Sequence, residues 1–200
     1  EVIIANTADC PRYTGILIND VTVSASPKWM QQRLKAIGQR SINNIVDITN
    51  YILHDTGQPL HAFDADQIKG GKVRIKNLPA GTSFIGLDEK ERKLEAGDLM
   101  ICDNDSNPMC MGGVFGGKGS GVTEATKNIF LESAWFHPVS IRKSSFKHQL
   151  RTDAAMHFEK SVDIGQTLEV LKKASLLICD FAGGKITADP VDVYPTPNNK

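Results

Sequence analysis

From Met111 to Gly121 the chain reads MGGVFGGKGSG, with five glycines in the eight positions from Gly112 to Gly119. So dense a run cannot sit inside a long helix or strand, because each glycine gives up side-chain packing and widens the backbone choices that folding must narrow. Its uses are positive φ and close approach of other groups to the main chain. Gly112, Gly117 and Lys118 fill most of the phosphate-loop pattern G-x-x-x-x-G-K-[ST], but Gly119 stands where a hydroxyl would ligate magnesium. The SGVTEAT that follows has no apolar helical period, so no helix N-terminus is expected to face an anion. These departures disfavour a nucleotide-binding enzyme. A pocket wall and a plain turn between strands both remain open.

The segments on either side of the loop set its context. Residues 13–24, YTGILINDVTVS, carry β-branched side chains in rough alternation and predict one or two strands. Ser26-Pro27 predicts a helix start, with Ser as N-cap and Pro at the first position, running to Gly38. A second helix is expected over 41–56, with Ile42, Ile45, Val46, Ile52 and Leu53 along one side and Gly57 and Pro59 as its stop. KVRIKNL, TSFIGL, DLMICD and NIFLESAWF then read as short strands between turn-forming clusters. Helices are expected again over 138–150 and 166–181, and KITADPVDVYP reads as a final strand. Hairpin-like β structure with segregated helices is the pattern of an α+β fold.

Composition narrows the function classes. The 23 Lys plus Arg balance the 23 Asp plus Glu, so the chain lacks the basic excess of a domain that holds nucleic acid by charge alone. Any RNA must be delivered by other parts. Cys10, Cys102, Cys110 and Cys179 form no C-x-x-C pair, which fits a reduced, cytoplasmic setting and gives no reason to expect zinc. EVIIANTADC has neither a basic leader nor a membrane-spanning apolar run, and its start at Glu1 fits a segment of a longer chain.

Several residues could carry chemistry. Thr49 and Asn50 offer hydrogen bonds on the second helix, and His61, just past Pro59, can accept or pass a proton near neutral pH. Together they could hold a water, although a lone histidine beside Leu60 and Phe63 is also what a packed core histidine looks like. In NIFLESAWF, alternation puts Phe130, Glu132 and Ala134 on one face, and Ile129, Leu131 and Ser133 on the other. An unpartnered buried acid is costly, so Glu132 by itself reads as solvent-facing unless a pocket supplies a partner. The basic run RKSSFKHQLR, from Arg142, fits phosphate contact or, more simply, a solvated helix face.

Three blocks then act together: RSINNIVDITNYILHDTGQPLHAFD from Arg40, MGGVFGGKGSGV from Met111, and LESAWFHPVSIRKSSFKHQLRTDAAMHFEKSVD from Leu131. In this order, and over nearly the whole chain, they resemble the central editing domain of the bacterial phenylalanyl-tRNA synthetase beta subunit. The resemblance implies one unit, 1–200, cut from a longer beta subunit. It implies a three-layer α+β fold containing a β-sandwich of unusual topology with flanking helices. It also implies hydrolysis of tyrosine misattached to phenylalanine tRNA, a second sieve needed because a pocket shaped for Phe cannot strongly reject a near-isostere with one added hydroxyl. By the same resemblance Glu132 and the Gly113 N–H recognise the phenol oxygen, Gly116 leaves room for the ring, and Ala154 forms the floor. His61, Thr49 and Asn50 handle the attacking water, and Arg40 meets the acceptor end. The implied partners are the 3′ end of the tRNA, the alpha subunit and the remaining beta domains, with no membrane. No metal or cofactor is implied here; ATP and magnesium would serve only the complete synthetase. AAMHFEKSVD departs from the usual family segment around Met156, Phe158 and Lys160. The competing reading is a non-catalytic structural or RNA-docking module of the same enzyme.

Overall fold

The computed structural model describes residues 1–197; the last three positions of the expected unit lie outside the described residues. The first half contains β1 (Val2–Ile4), β2 (Arg12–Asn19), α1 (Lys28–Ala36), α2 (Asn44–Thr56), β3 (Leu60–Asp64), β4 (Val73–Asn77), β5 (Ser83–Ile85) and β6 (Glu91–Lys93). The second half contains β7 (Leu99–Cys102), β8 (Pro108–Met111), β9 (Phe115–Gly116), β10 (Ile129–Trp135), α3 (Pro138–Lys147), α4 (Asp153–Phe158), α5 (Thr167–Ala182), β11 (Lys185–Ile186) and β12 (Val191–Val193).

One sheet runs β1-β4-β7-β8-β9, and the other runs β11-β2-β10-β3 with β12 also paired to β2. The pleat of β10 decides what lies on each side of the second sheet. Its Ala134 face, with Tyr13 and Phe63 from the neighbouring strands, packs into a core with Val73, Ile75 and Ile101 of the first sheet. Its Ile129 and Leu131 face, with Ile16 and Ile18 of β2, packs on Ile45, Ile48 and Ile52 of α2 and on Leu171, Ala174 and Ile178 of α5. Sheet, sheet and helices therefore make three layers, and the α+β expectation holds. β10 has no solvent face, which is why most of its residues are apolar or small despite alternating sides. α3 and α4 close one end of the sandwich with Ile141, Ala155 and Phe158.

The glycine run becomes the turn from β8 into β9 and the loop beyond it. Gly113 has φ of +68°, and a Cβ there would also meet the Phe136 ring at 2.7 Å. At Gly117 a Cβ would lie 2.5 Å from the Met109 carbonyl oxygen, so the backbone tolerates only glycine. No helix follows, and Lys118 pairs with Glu89 at the surface.

Several local expectations need correction. α1 begins at Lys28 with Pro27 as its N-cap and no side-chain cap, because the Ser26 hydroxyl instead donates to Asp47. α2 begins at Asn44, where the Asn43 side chain accepts from the Val46 N–H, and this leaves Ile42 outside the helix and exposed. α3 stops at Lys147, since Gln149 takes positive φ and the Ser145 hydroxyl donates to the Leu150 carbonyl. The final strand is split into β11 and β12 around an exposed turn. The short strands β1, β3, β6, β8 and the six-residue α4 were not expected at all.

The N-terminus of α2 is tied down by a buried carboxylate. Asp47 Oδ2 accepts from Ser26 Oγ and Ser41 Oγ, each at 2.5 Å, and Oδ1 accepts from the Ile42 N–H at 2.8 Å. Asn44 adds bonds to the Thr22 and Phe181 carbonyls, joining α2 to the end of α5. Asp47→Ala should cost about 2–4 kcal/mol in urea unfolding, because it strands buried donors in addition to losing their bonds. A loss below about 1 kcal/mol would mean that those donors find other acceptors.

Candidate functional site

Where β3 forms the edge of its sheet, the two sheets part around a cavity of about 460 Å³. Five pieces of chain wall it. The outer face of α2 contributes Val46, Thr49, Asn50 and Leu53; β3 and β10 contribute His61 and Glu132; the glycine turn contributes Gly113 and Gly116; and the start of α4 contributes Thr152 and Ala154. Seven of the eight residues singled out from the sequence thus lie on one cavity. The eighth, Arg40, is exposed in the segment between α1 and α2 and does not line it.

Each piece is fixed by bonds that the sequence did not advertise. The Gln58 side-chain amide donates to the Ala134 carbonyl at 2.9 Å, anchoring the turn from α2 into β3. The strand register then sets Glu132 directly opposite His61, on the same face of the sheet. The Thr152 hydroxyl accepts from the Ala155 N–H to cap α4 and donates to the Val114 carbonyl at 2.8 Å, tying α4 to the glycine turn. Gln39 donates to Asp153 across the rim.

Glu132 is only 5% exposed, which corrects the expectation of a solvent-facing acid. Its partner is Tyr13, whose phenol donates to Oε2 at 2.7 Å. Burial pushes the carboxyl up to about 8, partly offset by the Tyr13 hydrogen bond. At neutral pH Glu132 is therefore held largely as the neutral acid. No group among the described residues bonds to Oε1.

His61 moves in the opposite direction for the same reason. Burial lowers its imidazole to about 4, so the ring is neutral at physiological pH. It packs edge-on against Phe63 with centroids 4.5 Å apart, as a core histidine would, yet its buried Nε2 has no partner among the described residues. A buried ring nitrogen without a partner, on a residue that lines a cavity, leaves a hydrogen bond to be recovered from a water or a substrate hydroxyl. On the helix side, the Thr49 hydroxyl donates to the Val46 carbonyl at 2.8 Å, which leaves its lone pairs free to accept. The Asn50 amide has no partner among the described residues.

At Gly116 a Cβ would come within 2.8 Å of Leu87 and 3.1 Å of the His61 ring, so glycine here keeps the cavity open between them. The Gly113 N–H donates to nothing among the described residues, and Gly113 lines the same cavity. Among those residues no cluster of His, Cys, Asp and Glu is fit to hold a metal, and no helix is long and apolar enough to cross a membrane. Tyr13, Thr152, Leu87 and Cys110 escaped the sequence reading. Tyr13 shares the Glu132 face only once the pairing of β2 with β10 is known.

The chain is similar, over 98% of its length, to the phenylalanine-tRNA ligase beta subunit of Bacteroides fragilis, with 51% identity. It is 52% identical to that of Porphyromonas gingivalis over 98% of its length, and 48% identical to that of Carboxydothermus hydrogenoformans over 96%. It spans about a quarter (24%) of each of these relatives. An N-terminal fragment of the phenylalanyl-tRNA synthetase beta subunit from Pyrococcus horikoshii shares the fold, with a TM-score of 0.55 at 14% identity over 92% of this chain and 49% of that one. The family profile described as the B3/4 domain matches residues 9–183, and with the sandwich and its edge cavity in view the chain belongs to the B3/4 domain family.

Proposed function

We propose that the cavity is a hydrolytic proofreading site that removes tyrosine misattached to phenylalanine tRNA. The observation that carries this reading is the pairing, on one apolar wall, of a carboxyl with a free oxygen and a neutral imidazole with a free nitrogen. In the reaction, water attacks the ester carbonyl joining the amino acid to the terminal ribose, and the ribose oxygen leaves with a proton. The water bonds to the His61 ring and donates to Thr49 Oγ1, and the Asn50 amide completes its orientation. An imidazole lowered to about 4 is too weak a base to hold the proton, so its work is to aim the water. The proton passes on to the leaving ribose oxygen.

Recognition uses other groups of the same cavity. The substrate phenol bonds to Glu132 Oε1 and accepts from the Gly113 N–H, while its ring occupies the space that Gly116 leaves open above the floor at Ala154. Phenylalanine has no atom to meet these groups, and they are left unpaired when it binds, which is the discrimination a second sieve requires. Arg40, outside the cavity, meets the RNA end. The remaining beta domains and an alpha subunit would supply tRNA docking and the charging reaction, in the cytoplasm. A docking module without chemistry would bind charged tRNA and leave the ester intact; the unpaired water-facing groups favour the hydrolase.

In the assembled synthetase, Glu132→Ala should reduce the preference for tyrosyl- over phenylalanyl-tRNA deacylation about ten- to a hundredfold, and Glu132→Gln should lie between it and wild type. His61→Ala should slow hydrolysis of both esters and leave the preference nearly unchanged. Wild-type rates and preference in both alanine variants would leave the cavity with no part in editing.

The raised carboxyl also predicts how stability depends on pH. Below about 4.5 both folded and unfolded chains carry the proton; between that value and about 8 the unfolded chain releases it while the folded chain keeps it. The folded state therefore loses stability as pH rises through this window, by at most about 1.4 kcal/mol per pH unit. Glu132→Gln cannot release a proton and should gain on wild type in urea unfolding between pH 5 and pH 8. A difference that stays flat over that range would mean that Glu132 is not buried as described.

A further inference from the structure

We propose that Tyr13 is a specificity-positioning residue: its phenol holds Glu132 Oε2 so that only Oε1 is offered to the substrate hydroxyl. The inference rests on the proofreading reading above and adds a residue to it. The geometry begins with register. Tyr13 of β2 lies opposite Ala134, two residues along β10 from Glu132, and therefore projects onto the same sandwich face. Its ring is fully buried, and it does not line the cavity, so it acts behind the carboxyl and not on the ligand.

The arrangement resolves a problem that a lone acid would have. A glutamate carboxyl, free to turn about each bond of its side chain, could present either oxygen, or turn both into its own backbone, and would lose entropy when a ligand fixed it. The Tyr13 bond at 2.7 Å removes that freedom before the ligand arrives. A phenol is also the donor that this cavity is proposed to recognise, so the chain's own tyrosine occupies one oxygen and a substrate tyrosine meets the other. Burial and the neighbouring Glu132 raise the Tyr13 hydroxyl well above its ordinary range, so it remains a donor throughout the pH range of activity. The other titratable groups around the carboxyl are His61 opposite and the buried thiols of Cys10 and Cys110. Both thiols are raised by burial and stay uncharged, so among the described residues Tyr13 is the neighbour of the carboxyl that favours the ionised form of Glu132.

The test is Tyr13→Phe in the assembled synthetase, which keeps the buried ring and removes only the hydroxyl. The preference for tyrosyl- over phenylalanyl-tRNA should fall about three- to tenfold, mainly through KM for the tyrosyl ester. In the background of Glu132→Gln the same substitution should change the preference less. A structural role alone would not move the titration of Glu132, followed by carbon-13 NMR of the labelled carboxyl and assigned by its loss in Glu132→Gln. That midpoint should move upward in Tyr13→Phe and downward when the tyrosines are replaced by the more acidic 3-fluorotyrosine. If Tyr13→Phe fails to fold, the fluorotyrosine protein still decides the matter. An unmoved carboxyl midpoint together with an unchanged preference would overturn the role of Tyr13. Should Glu132→Ala itself leave the preference intact, the proofreading reading has failed first, and the two failures are thereby distinguished.

Discussion

β10 places a carboxyl on the same pleated face as Phe130, Ala134 and Phe136, and that face is covered by a second sheet. Everything at the cavity follows from the cost of that placement. An acid in an apolar sandwich must stay protonated, find a donor, or lie at an opening. Glu132 meets all three conditions: burial raises it to about 8, Tyr13 donates to one oxygen, and the sheet edge at β3 leaves the other beside a cavity. Had β3 been covered by a further strand, the same residue would be a packing defect.

The edge is kept open by devices on the surrounding elements. Gly116 withholds a side chain between Leu87 and His61, and Gly113 turns the backbone where any β-carbon would strike Phe136. α2 is fastened at its first turn through Asp47 and Asn44, so that Thr49 and Asn50 present to the cavity from a rigid helix. α4 is bonded to the glycine turn by Thr152 and to the α1–α2 segment by the Gln39–Asp153 contact. The polar hub at Asp47 therefore supports the site from one side and the cap of α4 supports it from the other.

The sequence made the large features legible because they rest on periodicity. α2 and α5 show helical apolar spacing, and β10 shows a short apolar run between turn signals, so the class of fold and, from the pleat, the face of Glu132 could be read directly. The burial of Glu132 could not, because alternation gives a face and not what covers it. Thr152, Leu87 and Tyr13 were missed for a related reason: the first two reach the cavity, and Tyr13 reaches Glu132 behind it, only through long-range contacts of which a single sequence carries no record. β1, β3 and β8 are three to five residues long, too short for a two-residue period to rise above noise. Ser26 misled because a hydroxyl before Pro27 is a good cap signal, yet a buried carboxylate from α2 competes for it more strongly.

Burial drives Glu132 and His61 to their neutral forms, the acid upward and the imidazole downward. The strand wall of the cavity is thus nearly uncharged, while Asp153 lines the cavity from α4. A neutral wall offers a phosphate no attraction. What it can do is reward one hydroxyl. In low-dielectric surroundings each bond from that hydroxyl to Oε1 and to a glycine N–H counts for more than it would in water, and leaving those groups unpaired costs correspondingly more. On the proposed reading, selectivity for a single oxygen atom would therefore rest on the low dielectric of this wall and not on charge.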